Sequence, residues 1–314
     1  MTERIVYISG EWVPESEAKI SIFDSAVMLG DCVTESTRTF GQKPFKLRQH
    51  VDRLYKSLKV CRFDAGMSAD EMEELSLEVM ERNLPTYEAD EDLWIVHNIS
   101  RGEYPISGDQ STKRTPTVIL YTAPMDLRYW AGFYIHGCHA VTPPTRTVPA
   151  QALDAKIKNR SRMSYTLAEL EAKLVDPMAQ GILLDVNGYL AENKGGNFFV
   201  IQDGILKTPR TLQALAGMTR QTTLEIAQSL DIPTEECDLQ PYDIYAADEA
   251  FFTSTPYCIM PATKFNGLPV GDGKVGPITK RLLNGWKDLT GVDVMQQALG
   301  QLTEAEREAL VNRD

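Results

Sequence analysis

The apolar residues in the first third of the chain recur at two spacings, one typical of short strands and one typical of helices. Residues 51–60 place Leu54 and Leu58 on one face of a predicted helix. Ser68, three positions before Glu71, forms a capping-box pattern that predicts the start of a second helix. Four alternating or continuous apolar runs predict strands, at residues 5–8, 19–22, 93–96 and 117–121.

The second part of the chain begins after residues 123–132, which contain Pro124 and predict an interdomain linker. Helices are predicted at residues 163–173 and 219–230. Strands are predicted at residues 133–135, 181–186, 198–201 and 250–253. The pattern therefore predicts an α+β protein with an N-terminal domain at residues 1–122 and a C-terminal domain at residues 133–314.

Composition narrows the class of protein. The chain has 314 residues and a formal net charge of -12, which argues against a nucleic-acid partner and against anionic membranes. No apolar run approaches the ~20 residues that span a bilayer, and the first residues lack the pattern of a signal peptide. The five cysteines are scattered and form no Cys-x-x-Cys pair, so we expect free thiols and a cytoplasmic location.

A short His/Cys stretch resembles a fragment of a metal site. It contains His136, Cys138 and His139, but no further cluster of such residues accompanies it in the sequence. We therefore expect ordinary hydrogen-bonded histidines here and no metal ion.

Two lysines in the middle of the chain are candidates for covalent chemistry. Lys158 follows Ile157 ahead of a predicted helix. A buried lysine can lose its proton and attack a carbonyl group, although most lysines lie at the surface. Lys156 is the alternative, because spacing alone does not choose between the two.

Glu192 comes before a Gly-rich turn that leads into the apolar run 197–200. An acid at the end of a buried strand can reach a pocket, and a fixed carboxylate can keep a pyridine nitrogen protonated. The alternative interpretation is an ordinary acidic residue in a turn.

Several residues have the chemistry of a phosphate site. Gly217, Met218 and Thr219 stand at the start of a predicted helix, where free N–H groups and the helix dipole favour an anion, although a plain N-cap is the alternative. Ser254 and Thr255 follow a predicted buried strand and carry hydroxyl groups. Arg53 can supply a charge-assisted hydrogen bond to phosphate; its alternative partner is a surface carboxylate.

Taken in order, these segments resemble the class IV aminotransferases. These are pyridoxal 5'-phosphate (PLP) enzymes of fold type IV that include branched-chain aminotransferases, D-amino-acid transaminases and (R)-selective amine transaminases. The resemblance covers nearly the whole chain. It is carried by residues 10–14, 20–24, 29–35, 50–54, 157–159, 185–192, 217–220, 253–255 and 276–277.

The resemblance implies a fold, a cofactor and roles for particular residues. The fold would be a small N-terminal α/β domain and a larger C-terminal pseudo-barrel domain that binds PLP, and the chain would form a homodimer. Lys158 matches the lysine that binds PLP covalently and moves the proton, and its place in Ile-Lys-Asn favours it over Lys156. Glu192 matches the partner of the pyridine nitrogen. The phosphate-binding positions are Arg53, Met218, Thr219 and Thr255, and further cofactor-binding positions are Gly217 and Ser254.

The sequence departs from the family around the substrate pocket. Leu29 and Thr34 stand where the family often has aromatic residues, so we expect a pocket of different shape. The tyrosine that often follows the lysine is missing from its place, and Tyr165 is a possible substitute. Arg38 and Arg101 are candidates to hold a substrate carboxylate, with a structural ion pair as the alternative for each.

The resemblance predicts a transaminase that moves an amino group between an amino acid or primary amine and a 2-oxo acid, similar to the branched-chain enzymes. The alternative is an (R)-selective amine or D-amino-acid transaminase. We rank lower a PLP lyase similar to aminodeoxychorismate lyase, and a binding protein that uses no cofactor.

Overall fold

The computed structural model describes residues 3–105 and 114–311, which form two compact units. The first unit ends at Met125 and also includes the later segment Ile157–Ser161. The second unit consists of Asp126–Lys156 and the chain from Arg162 onward. The described chain contains helices, one antiparallel sheet and one mixed sheet, which confirms the predicted α+β class.

The first unit is built on one sheet with helices beside it. Its strands are β1 (Ile5–Ile8), β2 (Glu11–Pro14), β3 (Cys32–Phe40), β4 (Lys43–Pro44), β5 (Leu93–Ser100) and β6 (Thr117–Pro124). Its helices are α1 (Ser25–Leu29), α2 (Leu47–Cys61) and α3 (Ala69–Asn83), with short 3-10 turns at Glu15–Glu17 and Leu84–Thr86. In the described part of this unit the strand order is β2-β1-β6-β5-β3-β4, with antiparallel neighbours throughout.

Helix α2 buries one apolar stripe. Leu47, Val51, Leu54 and Leu58 recur every three or four positions, so they share a face, and all four are buried in one core with residues of β3, β5 and β6. This confirms the predicted helical face. The capping box at Ser68 is also confirmed, because its side chain accepts a hydrogen bond from the Glu71 amide and Glu71 accepts one from the Ser68 amide.

The second unit contains a larger mixed sheet. Its strands are β7 (Cys138–Val141), β8 (Gln180–Gly181), β9 (Asn197–Gln202), β10 (Ile205–Pro209), β11 (Thr234–Cys237), β12 (Glu249–Ser254), β13 (Cys258–Phe265) and β14 (Leu268–Pro269). In the described residues they follow the order β11-β10-β9-β12-β13-β7-β8, with β14 beside β13. The helices are α4 (Arg128–Ala131), α5 (Phe133–His136), α6 (Met163–Lys173), α7 (Met218–Ser229), α8 (Pro241–Tyr245), α9 (Pro277–Thr290), α10 (Val294–Gly300) and α11 (Glu304–Val311).

Three predicted strands are wrong. Residues 19–22 form no strand, and Ile22 is 70% exposed. The alternation of polar and apolar residues here therefore does not mark a strand of a sheet. The run at 133–135 belongs to helix α5, since a short apolar run fits a buried helix as well as a strand. Of residues 181–186, only the first belongs to a strand, β8.

Two segments near the predicted domain bounds have regular backbone hydrogen bonding. Residues 123–132, expected as a linker, hold the end of β6 and helix α4. Ile157–Ser161 groups with the first unit because its backbone bonds to β3: the Thr34 amide donates to the Lys158 carbonyl and the Arg160 amide to the Cys32 carbonyl, both at 2.9 Å. Within residues 3–105 and 114–311, no helix combines the length and apolar character needed to cross a bilayer.

Candidate active site

The backbone around Lys158 is fixed by strand β3 and helix α2. Besides the bond from Thr34, the Lys158 amide donates to Ser57 Oγ at 3.4 Å. The Lys158 side chain is 16% exposed, whereas that of Lys156 is 51% exposed and pairs with the surface carboxylate of Asp154. Burial therefore favours Lys158 as the residue able to do covalent chemistry.

A fully buried carboxylate lies beside this lysine. Glu35 Oε1 is 3.2 Å from Lys158 Nζ, and Arg53 donates to both carboxylate oxygens, from Nε at 2.8 Å and from Nη2 at 2.7 Å. His50 Nδ1 lies 3.0 Å from Oε1, and the Ser36 amide donates to the same oxygen at 2.9 Å. Lys158 and Arg53, both predicted site residues, therefore contact one acid that the sequence analysis did not single out.

Charge decides the protonation of this cluster. Burial alone would raise the pKa of Glu35, but the positive charges of Arg53 and Lys158 outweigh it and hold that pKa well below its usual value. Burial lowers the pKa of His50, although Glu35 opposes the shift. A neutral His50 therefore donates its Nδ1–H to an ionised Glu35.

In the second unit, Glu192 is 5% exposed and is held at both oxygens. Tyr165 donates its hydroxyl to Oε1 at 2.8 Å, and the Leu215 amide donates to Oε2, also at 2.8 Å. Burial, together with the neighbouring Glu192, raises the pKa of Tyr165, so the phenol keeps the proton that it donates. Tyr165, weighed in the sequence as a substitute for a missing tyrosine, thus orients this carboxylate.

The turn after Glu192 is tied to the loop before helix α7. Asn197 bridges to Glu192 through the backbone, and its side-chain amide donates to the Leu215 carbonyl at 2.8 Å. Ser254, at the end of β12, donates its hydroxyl to the Gly195 carbonyl. Hydrogen bonds therefore join the turn after Glu192, the end of β12 and the loop before α7, and Ser254 supports the turn.

Helix α7 begins at Met218 with Gly217 as its N-cap residue, and no side chain of the described residues caps this helix start. A Cβ at Gly217 would lie 2.1 Å from Asn197 Oδ1, so this position accepts only glycine while Asn197 keeps its place. Thr219 is 7% exposed in the first turn, and Thr255 is half-buried just after β12. The first N–H groups of α7 thus form a narrow, uncapped helix start suited to an anion.

The predicted substrate arginines are engaged elsewhere. Arg38 is 2% exposed, pairs with Asp92 at 3.4 Å and lies over the Phe40 ring. Arg101 bonds to Asp31 at 2.7 Å and to two backbone carbonyls beside Phe63. These contacts favour the structural ion-pair alternative for both residues, because the buried Arg38 and the partly exposed Arg101 each already have a carboxylate partner that balances the charge.

The two positions that depart from the family differ in burial. Thr34 is 3% exposed and its hydroxyl donates to the His97 carbonyl at 2.8 Å, which favours a structural role. Leu29 is 59% exposed at the end of α1 in the single chain. The expected pocket of unusual shape stays a prediction.

The His/Cys stretch has hydrogen-bonding partners of its own. Nδ1 of His139 lies 3.0 Å from Asp176, and its Nε2 accepts from the Gly267 amide at 2.9 Å. His136 bonds to the Leu310 carbonyl at 2.7 Å. These are the hydrogen-bonded histidines that the sequence predicted.

Sequence reasoning missed Glu35 and His50 as members of the Lys158 cluster. Glu35 lies inside β3, where eight of the nine residues are buried. A charged residue in such a strand requires a buried partner. The sequence signal for such a partner was the pair Arg53 and His50, which lie three positions apart on one face of α2.

The sequence profile of a known family matches most of the chain: residues 32–265 match amino-transferase class IV. A putative branched-chain-amino-acid aminotransferase of Methanocaldococcus jannaschii is 31% identical over 285 residues, which cover 90% of this chain and 96% of that protein.

Solved structures share the fold. The branched-chain amino acid aminotransferase of Escherichia coli superposes with a TM-score of 0.85 at 29% identity, covering 92% of this chain and 95% of that one. The enzyme of Thermoproteus uzoniensis, solved with norvaline, gives 0.82 at 28% identity, covering 96% and 99%. Since the family profile, the relative and both folds agree, the chain belongs to the class IV aminotransferases of fold type IV and is a transaminase.

Proposed function

We propose that this transaminase uses PLP to move the amino group of a branched-chain L-amino acid to a 2-oxo acid. Class IV aminotransferases use PLP, and the relatives described above are named for branched-chain amino acids. The (R)-amine and D-amino-acid alternatives gain no support from these relatives.

The arrangement of Glu192 and helix α7 carries the proposal. One short loop links them, since Leu215 donates to the Glu192 carboxylate and α7 begins three residues later at Met218. PLP requires an acid for its pyridine nitrogen and an anion site for its phosphate. The buried carboxylate and the uncapped helix start fit these two groups, so the residues present suit the cofactor.

Each residue would then have one task. Glu192, oriented by Tyr165, would hold the protonated ring nitrogen. The amides of Met218 and Thr219 with the hydroxyl of Thr255 would bind phosphate oxygens, and Ser254 precedes Thr255 in the chain. The phosphate-binding role of Arg53 stays a prediction from the sequence. When bound, PLP supplies an electron-withdrawing ring that stabilises negative charge on the donor carbon.

Lys158 would bind the cofactor covalently and later move a proton at the donor carbon through its Nζ atom. Proton transfer of this kind needs the amine in a fixed place and in its neutral form at the moment of reaction. The hydrogen bonds to Thr34 and Ser57 fix the backbone from which Nζ extends.

The visible spectrum of the PLP-loaded protein tests the proposal. L-leucine should bleach the cofactor band, whereas D-alanine and (R)-1-phenylethylamine should leave it unchanged. Lys158→Ala should abolish the response, and the matched variant Lys156→Ala should keep it. A band bleached only by one of the other donors would overturn the substrate assignment, and no band after addition of PLP would overturn the use of this cofactor.

We also infer that the chain forms a homodimer. On helix α6 and just after it, large apolar side chains recur with helical spacing and stay exposed in the single chain: Met163 (86%), Leu167 (50%), Leu170 (58%) and Leu174 (88%). Exposed apolar stripes of this kind support an interaction surface. Light scattering should give twice the mass of the chain, and a monomer at micromolar concentration would contradict the inference.

A further inference from the structure

We propose that Glu35 is the positioning residue for Lys158: its carboxylate holds the lysine amine in one place whenever that amine is not joined to the cofactor. The inference rests on the proposed function for the role of Lys158. It assigns to Glu35 a task in the reaction cycle, because the lysine must be released and recovered in each turnover.

The Glu35 carboxylate contacts Lys158 and Arg53, the two predicted cofactor-binding residues of the first unit. Its carboxylate is completely buried, 3.2 Å from Lys158 Nζ, and bonded by Arg53 at both oxygens. A buried carboxylate is stable only when charged or polar partners surround it. Here those partners are the lysine and the arginine, so Glu35 fixes the position of both side chains.

The remaining contacts keep the acid in place when the lysine leaves. Arg53, the Ser36 amide and the Nδ1–H of His50 all stay bonded to the carboxylate without Lys158. Departure of the lysine therefore exposes no unpaired buried charge, which would otherwise oppose the release. The same negative charge then attracts the amine back when it becomes free and protonated.

The groups that face Glu35 favour its ionised form: burial alone would raise its pKa, but the positive charges of Arg53 and Lys158 hold that pKa well below its usual value. Arg53 donates to both oxygens of the carboxylate, and burial lowers the pKa of His50, which favours its neutral form. From the facing strand β5, His97 is opposite Glu35 in the ladder and is also buried. No change of protonation in these groups is needed for the Lys158 amine to leave Glu35 and return to it.

Chemical labelling of the full-length, cofactor-free protein tests the pair. Acetic anhydride reacts with neutral amines, so the pH profile of acetylation at Lys158, measured by peptide mass spectrometry, reports how strongly Glu35 favours the protonated amine. In Glu35→Gln the profile should move to lower pH, with a rate at pH 7.5 at least about tenfold higher, the effect of one pH unit. Lys156 in the same peptide should react equally in both proteins.

The direction of the shift separates positioning from packing. A looser fold would raise the acetylation rate by the same factor at every pH. Loss of the counter-ion would instead lower the pH at which the rate levels off. The matched control Asp31→Asn removes a carboxylate from the Arg101 pair in the same unit and should leave the Lys158 profile unchanged. An unshifted profile in a folded Glu35→Gln protein would overturn the proposal.

Circular dichroism checks whether Glu35→Gln folds, and a second variant tests the proposal if it does not. Glu35→Asp keeps the charge but withdraws it by about one C–C bond, ~1.5 Å, so the Lys158 profile should move in the same direction by a smaller amount. An unchanged profile, or loss of the fold in both variants, would overturn the role assigned here.

The outcome is separate from that of the proposed function. A bleached cofactor band with an unshifted labelling profile would remove only the role of Glu35. A shifted profile in a protein that never shows the band would leave the ion pair and remove the PLP enzyme.

Discussion

At the scale of single residues, burial favours the neutral form of a histidine in the first unit. His97 is completely buried in β5, and its Nε2 lies 2.7 Å from the Ser76 hydroxyl. Burial lowers the pKa of His97 to about 4, so the folded protein keeps this ring neutral where an unfolded chain would protonate it.

The stability of the protein should therefore fall as the pH falls from about 6.5 to 4, because over this range the unfolded state binds a proton that the folded state does not. At pH 5 the loss due to His97 should be roughly 2 kcal/mol relative to pH 7.5. Urea unfolding at the two pH values measures it. His97→Gln should remove this contribution and leave the part due to His50, whose pKa burial also lowers, whereas the exposed His136→Gln should remove none of it; equal pH dependence in all three proteins would contradict the assignment.

Residue roles could be predicted from the sequence only where a motif carried them. Lys158 and Glu192 became candidates through their place in an ordered set of motifs. Arg38 and Arg101 could not be separated from substrate-binding arginines, because their partners Asp92 and Asp31 come from distant positions in the chain. The role of Glu35 depends on the same kind of long-range contact.

At the scale of elements, the start of helix α7 is the proposed phosphate site. Gly217 has φ -67° and ψ 138°, which any residue adopts, so only the space around it requires glycine. That space is closed by Asn197, which is 4% exposed and held by its bond to the Leu215 carbonyl.

Gly217→Ala should weaken PLP binding on the order of tenfold, since the added methyl group must displace Asn197 or the helix start that would bind phosphate. Equilibrium dialysis of PLP against the cofactor-free protein measures this. Gly195→Ala, in the neighbouring turn, meets no atom within 4 Å and is the matched control. Equal affinity in both variants would place the phosphate elsewhere.

The existence of the long periodic elements was predictable and the short ones were not. Helix α2 and the capped helix α3 have a full apolar stripe or a cap to identify them. Residues 19–22 and 133–135 offer only three or four positions, too few to distinguish a strand from a helix or an exposed loop.

At the scale of the whole molecule, the ordered motifs were enough to identify the family and the α+β class. They did not reveal that Ile157–Ser161 groups with the first unit, since this follows from backbone hydrogen bonds to β3 more than a hundred positions earlier. It places Lys158 in the same unit as Glu35 and Arg53.

The central claim is that Lys158 is the residue to which the cofactor is joined. Reduction of the PLP-loaded protein with borohydride, followed by digestion and mass spectrometry, locates the pyridoxyl group directly. The account predicts the label on Lys158, with Lys156 in the same segment unmodified. A label on Lys156 or on another lysine, or no label at all, would contradict it.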